Sequence, residues 1–163
     1  YRTTFTGDDE ISNGQMIFTI DSVKDCPLKL YSARLNDDDL DDVMVSLGEP
    51  ENKLYIFYGT KKYLFEASKN QSSKTLNRIE FANMQFYDID NNGLHDIIYL
   101  NNKTKAIDVR FVERNGTIGN ARQITSSADI SDFKFADLNN DGSPELLLTD
   151  FKNGLLKIIQ LKD

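Results

Sequence analysis

The fold of the chain is decided by a segment that occurs more than once. Residues 84–98 read MQFYDIDNNGLHDII, and residues 133–147, which lie 49 positions further on, read FKFADLNNDGSPELL. A weaker copy 54 positions upstream, at residues 30–44, reads LYSARLNDDDLDDVM. Each copy passes from an apolar run through an acidic loop into a second apolar run, without a gap. Copies that align without a gap predict a repeated structural unit.

The apolar runs predict β-strands. They are short, and aromatic and β-branched residues dominate several of them, as in the run LYIFY at residues 54–58. Turn dipeptides fall between the runs, at Asn13-Gly14, Asn92-Gly93, Asn115-Gly116 and Asp141-Gly142. Asn, Asp and Gly tolerate the positive φ angles of tight hairpin connections. The sequence therefore predicts an all-β fold of meandering hairpins.

The repeat period predicts that these hairpins form the blades of a β-propeller. Four antiparallel strands in about 50 residues is the size of one blade, and a β-sandwich of hairpins is the alternative. Third strands are expected at residues 53–58, 107–111 and 155–161, and fourth strands at 63–65 and near 123–125.

The length accommodates about three blades, whereas a propeller closes with about four to eight. Blades are expected at residues 29–68 and 80–126 and a partial blade at 130–163, with residues 1–28 forming an edge hairpin or part of a preceding blade. The chain is thus expected to be an arc of a larger propeller, or to need copies or a partner at its exposed edges.

Composition excludes several classes of function. The 163 residues carry 26 acidic and 19 basic side chains, for a net charge of -7, which argues against a nucleic-acid partner. No run approaches the roughly 20 apolar residues that span a bilayer. The single cysteine, Cys26, excludes an intrachain disulfide and a zinc cluster, and it is expected to be a small buried hydrophobe.

The loop of the second copy carries oxygen-bearing side chains at positions 1, 3, 5 and 9, namely Asp88, Asp90, Asn92 and Asp96. The third copy repeats the pattern with Asp137, Asn139, Asp141 and Glu145. Glycine stands at position 6 of both loops, where it lets the chain turn around a central point. Position 7, Leu94 or Ser143, would add a backbone carbonyl. All-oxygen ligation predicts two Ca²⁺ sites, and a polar hairpin turn without metal is the alternative.

Two details limit this interpretation. An EF-hand needs a glutamate at position 12 and flanking helices, but position 12 is Tyr99 in one loop and Leu148 in the other.

The loop of the first copy has Arg34 at position 1 and Asp39 in place of the glycine. A guanidinium there is expected to take the place of the cation by pairing with Asp38 or Asp42, so this loop is predicted to be free of metal. A third Ca²⁺ site at Asn36, Asp38 and Asp42 is the less favoured alternative.

The pattern D-x-[DN]-x-[DN]-G-x-x-[DE] between two strands resembles the FG-GAP/VCBS repeat of integrin α-subunit β-propellers, and the chain is also similar to T-cell immunomodulatory-type proteins. The resemblance runs from Leu30 to Leu161 and includes LGEP at residues 47–50, close to the Gly-Ala-Pro element, although the Phe-Gly element is missing. It implies a radial array of blades with calcium loops between first and second strands. Carried over by position, the ligands are Asp88, Asp90, Asn92, Leu94 (carbonyl) and Asp96, and Asp137, Asn139, Asp141, Ser143 (carbonyl) and Glu145.

The expected function is that of a calcium-stabilised propeller segment in an extracellular binding or adhesion protein, whose loops face a protein or glycan ligand. The expected partners also include the remaining blades or another subunit, with no nucleic acid and no membrane insertion. Sequons at residues 70–72, 102–104 and 115–117 fit a secreted glycoprotein, at the cell surface or in the secretory lumen.

Two alternatives stay open: a propeller module of a carbohydrate-active enzyme, and an architectural repeat of a larger surface protein or toxin. The sequence contains no G-x-S-x-G, no H-E-x-x-H and no phosphate-binding Gly-rich loop, and its one histidine, His95, is expected to be an exposed bystander. The chain itself is therefore not expected to be an enzyme.

Overall fold

The all-β expectation is confirmed. A computed structural model describes residues 27–61, 74–77, 81–125 and 130–161, and within these residues it forms strands and no helix. The strands make three separate antiparallel sheets. The described residues contain no helix, and therefore none that could cross a membrane.

Each sheet is a meander of consecutive strands. The first sheet contains β1 (Leu28–Ala33), β2 (Asp42–Leu47), β3 (Lys53–Phe57) and β4 (Lys74–Asn77). The second contains β5 (Phe81–Tyr87), β6 (Asp96–Asn101), β7 (Ala106–Arg110) and β8 (Arg122–Gln123). The third contains β9 (Ile130–Ala136), β10 (Glu145–Asp150) and β11 (Leu155–Gln160).

The sequence repeat corresponds to a structural repeat. Position 9 of each acidic loop is the first residue of the second strand, and it pairs with the last residue of the first strand. These pairs are Ala33 with Asp42, Tyr87 with Asp96 and Ala136 with Glu145. The three acidic loops therefore occupy the same place in the three sheets.

The second sheet is packed between the other two. Because successive residues of a strand point to opposite faces, Ile97 and Tyr99 of β6 join one core with the first sheet, while Ile98 and Leu100 join another core with the third sheet. The first core includes Met44, Leu54 and Ile56, and the second includes Phe133, Leu146 and Leu148. Fully burying one such side chain stabilises the fold by about 1.5–3 kcal/mol.

This arrangement, meander sheets stacked face to face through two apolar layers, is compatible with consecutive blades of a partial propeller. Both faces of β6 are apolar, and its first five residues are all buried. A single-layer hairpin exposed to water on one face would instead alternate apolar and polar residues.

The fourth strands differ in part from expectation. The run predicted at residues 63–65 lies outside the described residues, as do Cys26 and the Asn13-Gly14 turn. The strand beside β3 is β4, which lies beyond residue 68, where the first blade was expected to end. Its sequence, KTLN, contains one apolar residue, so it carries no strand periodicity of its own, and pairing with β3 defines it. In the second sheet β8 overlaps the position predicted near residues 123–125.

Candidate metal centre

The three acidic loops share one internal frame. We call residues 34–42, 88–96 and 137–145 the first, second and third loops. In the second loop the Asp90 side chain accepts a hydrogen bond from Asn92 N at 3.3 Å, and the Asn92 side chain accepts one from Leu94 N at 2.8 Å. The other two loops have the corresponding bonds from positions 5 and 7. Short polar side chains thus hold the backbone of each loop through Asx-type turns.

Position 1 closes the second and third loops from the other side. Asp88 accepts from Asn92 N at 3.0 Å and from Gly93 N at 2.8 Å, and Asp137 makes the same two contacts in its own loop. These contacts require the sharp turn at position 6, where Gly93 has a φ of 89° and Gly142 a φ of 88°. The expected role of glycine at this position is confirmed, because such a φ strains almost any other residue.

Position 9 of the second loop is a buried carboxylate that joins two parts of the sheet. Asp96 is fully buried, and its two oxygens accept hydrogen bonds from Ile89 N at 3.0 Å and from Val112 N, just after β7, at 2.9 Å. Burial raises the pKa of Asp96 to about 6; the two backbone donors oppose this shift, and the negative charges of Asp90 and Asp88 add to it. The carboxylate is therefore fixed in place and held near other negative charges.

The carboxylates of the second loop converge. Asp88, Asp90 and Asp96 each place one oxygen within 4.8 Å of the others, and among the described residues this is the one group of three or more acidic, His or Cys side chains that meets this distance. Oxygens that bind one Ca²⁺ lie about 2.3–2.6 Å from it, so two of them are at most about 5.2 Å apart. The spacing and the hard oxygen donors fit this cation.

Asn92 and Leu94, the remaining residues of the predicted second-loop site, are also held in fixed positions. Asn92 donates from Nδ2 to Val112 O at 2.8 Å, which turns its Oδ1 toward the inside of the loop, where it accepts from Leu94 N. The side chain of Leu94 is buried in the first core and fixes the backbone at position 7. Five predicted residues are therefore held together on one short loop.

In the third loop, the side-chain amide of Asn139 bonds to the carboxylates. Asn139 Nδ2 donates to Asp141 at 2.9 Å and to Glu145 at 3.1 Å, while the other Glu145 oxygen accepts from Leu138 N at 2.9 Å. Asp137, Asp141 and Glu145 do not meet within the distance that groups the second-loop carboxylates. The amide donor occupies the space between two carboxylates, and Ser143 contributes its backbone N–H to Asp141. The second predicted Ca²⁺ site stays a prediction.

The first loop has the same internal hydrogen bonds, but its position 1 is an arginine and not an aspartate. Arg34 forms an ion pair with Asp39 at 2.8 Å, so the predicted pairing with Asp38 or Asp42 was wrong. Both Asp42 oxygens already accept from Leu35 N and Gly59 N, and an Asp38 oxygen accepts from Leu40 N. Asp39 is exposed, and its φ of 62° is positive, as is that of the glycine at position 6 in the other two loops.

Two structural roles were not predicted from the sequence. Asp42 repeats in the first loop the two backbone contacts of Asp96, so position 9 holds the sheet together whether or not the loop binds metal. An aspartate kept at position 9 of the divergent loop is the signal for this role. His95 is half-buried, and its Nδ1 accepts from Arg34 N, so the expectation of an exposed bystander was wrong.

One segment of the chain is similar to a known family of repeats. Residues 88–148 match the family model of the FG-GAP-like repeat, from the first aspartate of the second loop to β10 of the third sheet. No match is found among curated proteins or among solved structures. The matched segment contains the two loops that carry Gly at position 6, so this part of the chain is similar to the FG-GAP-like repeat.

Proposed function

We propose that the chain is a calcium-stabilised segment of a β-propeller, in an extracellular binding or adhesion protein that presents its loops to a protein or glycan ligand. The observation that carries the calcium proposal is the convergence of Asp88, Asp90 and Asp96 within 4.8 Å. The match to an FG-GAP-like repeat supports a propeller-type repeat module rather than a catalytic centre.

The proposed role of the ion is structural. Asp88, Asp90, Asp96 and the side-chain oxygen of Asn92 would hold it, and it would neutralise carboxylates that otherwise repel each other. Asp96 is bonded to Ile89 N and Val112 N, so it connects the loop to the chain that follows β7. Order in the loop should therefore stabilise the whole second sheet.

Thermal unfolding tests this proposal. EDTA should lower the melting temperature of the protein, and Ca²⁺ should restore it, whereas the Asp90→Asn variant should melt at a lower temperature and respond to neither. Asp37→Asn is the matched control, because it removes one exposed carboxylate from the loop that is predicted to lack metal. A wild-type melt that is indifferent to both EDTA and Ca²⁺ would refute the proposal.

The expected strength of the site supports a location outside the cell. A loop with three carboxylates and few other ligands should bind Ca²⁺ at about 10⁻⁴–10⁻³ M, which suits extracellular modules. Asn115 of the third sequon is exposed in the turn between the bridged residues Val112 and Ile118, within reach of a modifying enzyme. Expression in a secreting eukaryotic cell should give a protein whose mass falls on treatment with an N-glycosidase; an unmodified intracellular product would contradict this part.

Further blades or another subunit are proposed to cover the third sheet. Leu156 and Ile158 of β11 are 62% and 56% exposed. Among the described residues β11 pairs with β10 alone, whereas β3 and β7 each have a fourth strand beside them. Amide hydrogens of β11 should exchange rapidly in the isolated chain and slowly in an assembly with neighbouring blades. Equal exchange in the two samples would count against such a partner.

A further inference from the structure

A cleft opens at the end of the sheets opposite the acidic loops. Its volume is about 280 Å³, and side chains that line it include Lys29, Ser46, Glu49, Asn52 and Asn102. These residues come from β1, from β2 and the turn that follows it, and from the turn after β6. The cleft therefore lies between the first and second sheets, away from the candidate metal centre.

Backbone hydrogen bonds fix the walls of the cleft. Gly48 N donates to Pro27 O and Asn52 N donates to Gly48 O, both at 2.9 Å, which ties the β2–β3 turn to the start of β1. On the other wall the Asn101 side chain accepts from Lys103 N at 3.0 Å, and Lys105 N donates to Asn101 O at 2.8 Å. A preformed cleft loses little conformational freedom when a ligand binds.

The floor of the cleft is also fixed. Ser46 is buried, and it lies on the same face of the sheet as Tyr31 of the neighbouring strand. Tyr31 in turn packs against the first core and against the ring of Phe86, with 5.4 Å between ring centroids. The floor of the cleft is therefore supported by the apolar core.

The chemistry of the lining selects a class of ligand. The charges of the Lys29 ammonium and the Glu49 carboxylate cancel, so the cleft has no excess charge that would bind an ion. The net charge of the whole chain, -7, also disfavours an anionic ligand. The amides of Asn52 and Asn102 each offer both donors and an acceptor. Clefts that bind drug-sized ligands have volumes of about 300–1,000 Å³. This cleft, at about 280 Å³, lies at the lower end of that range and fits a ligand the size of a single ring, and Pro27 and Gly48 add apolar surface to its lining.

We propose that this cleft binds one residue of a saccharide. A sugar ring is small, uncharged and rich in adjacent hydroxyl groups, each of which can donate and accept a hydrogen bond. Asn52 and Asn102 can each bond to a ring hydroxyl, and the Glu49 carboxylate can add a charge-assisted hydrogen bond. The inference rests on the proposed binding role and names a glycan as the ligand, but it does not depend on calcium.

The test is an NMR titration of the ¹⁵N-labelled chain with methyl glycosides of glucose, galactose, mannose, N-acetylglucosamine and fucose. Concentrations should reach about 50 mM, because a ligand with so few atoms is expected to bind at about 1 mM. With at least one of these sugars, the amide signals of the cleft residues should shift and saturate. Glu49→Gln and Asn102→Ala should each weaken binding about tenfold, the effect of losing one hydrogen bond.

The control variant is Asn120→Ala, which removes an exposed amide from the segment before β8 and should leave the titration unchanged. Thermal melts of all variants check that each one is folded. Two results would overturn the proposal: no saturable shift with any of the sugars, or shifts in the cleft with glycine, acetate or phosphate but not with sugars. Loss of the EDTA effect on the melt would refute the calcium proposal alone, since no cleft residue lies in the second loop.

Discussion

The backbone of Arg34 is joined to His95 by two hydrogen bonds. Arg34 N donates to His95 Nδ1 at 3.0 Å, and His95 N donates to Arg34 O at 2.8 Å. These bonds connect the first loop to the second loop across 61 positions of sequence. The first sheet is therefore attached to the loop that carries the candidate metal centre, in addition to the apolar core that the two sheets share.

Removing the imidazole should weaken this connection. His95→Ala leaves the part-buried Arg34 N–H without its acceptor, which should lower the free energy of unfolding by about 1–3 kcal/mol. Urea denaturation measures the change. His95→Asn is the control, because it retains an acceptor and should recover part of the loss. Equal stability of the alanine variant and the wild type would show that the bond contributes nothing.

The first loop should become a cation site when its two divergent residues are exchanged. Its internal hydrogen bonds at positions 5, 7 and 9 already match those of the second loop. The double variant Arg34→Asp, Asp39→Gly restores the carboxylate and the glycine, so isothermal titration should count one more Ca²⁺ per chain than in the wild type. Arg34→Asp alone should bind more weakly, because Asp39 still occupies position 6. An unchanged count in a folded double variant would contradict the proposed equivalence.

The turn at position 6 of the second loop should tolerate asparagine better than alanine. Gly93 has a φ of 89°, which costs an alanine about 1–2 kcal/mol. Gly93→Ala should lower the melting temperature accordingly, and Gly93→Asn should lower it less, because asparagine tolerates left-handed backbone. If the two variants melt together, strain at this φ is not the cause of the loss.

Asp150 should give the protein a stability that disappears in acid. The side chain and the backbone N–H of Asn153 donate to its carboxylate and hold the pKa of Asp150 below its ordinary value. Folding then favours the ionised form, so the stabilisation is present above the pKa of the unfolded chain and is lost as pH falls through the lower folded value.

Asn153→Ala tests this linkage. The pKa of Asp150, followed by carboxyl ¹³C shifts, should rise toward the ordinary value, and the variant should be less stable than the wild type at neutral pH but not in strong acid. Asn120→Ala, which lies far from Asp150 in sequence, serves as the control. A pKa that does not move in Asn153→Ala would assign the shift to another group.

Local features could be predicted from the sequence, and pairings between distant residues could not. The loop at residues 88–96 carries its own turn chemistry, so the positive φ of Gly93 and the polar frame around it follow from the residues themselves. The strand Lys74–Asn77 has no apolar pattern, because its place is defined by hydrogen bonds to β3.

Competition between neighbouring donors explains the other differences. Which carboxylate pairs with Arg34 depends on the backbone N–H groups that already occupy Asp38 and Asp42. In the third loop the composition fits a cation, but Asn139 donates its amide to two carboxylates, and only the three-dimensional arrangement reveals this contact. The contact of His95 with Arg34 joins residues of different repeats, so no local pattern encodes it.

Direct titration of the protein with Ca²⁺, followed by NMR, tests the central claim. The amide signals of Ile89, Gly93 and Val112 should shift together and saturate, with a dissociation constant of about 10⁻⁴–10⁻³ M, because their N–H groups contact Asp88 and Asp96. In Asp90→Asn the same signals should stay in place over that range. Signals that do not move in the wild type at about 10 mM Ca²⁺, well above the expected range, would contradict the account.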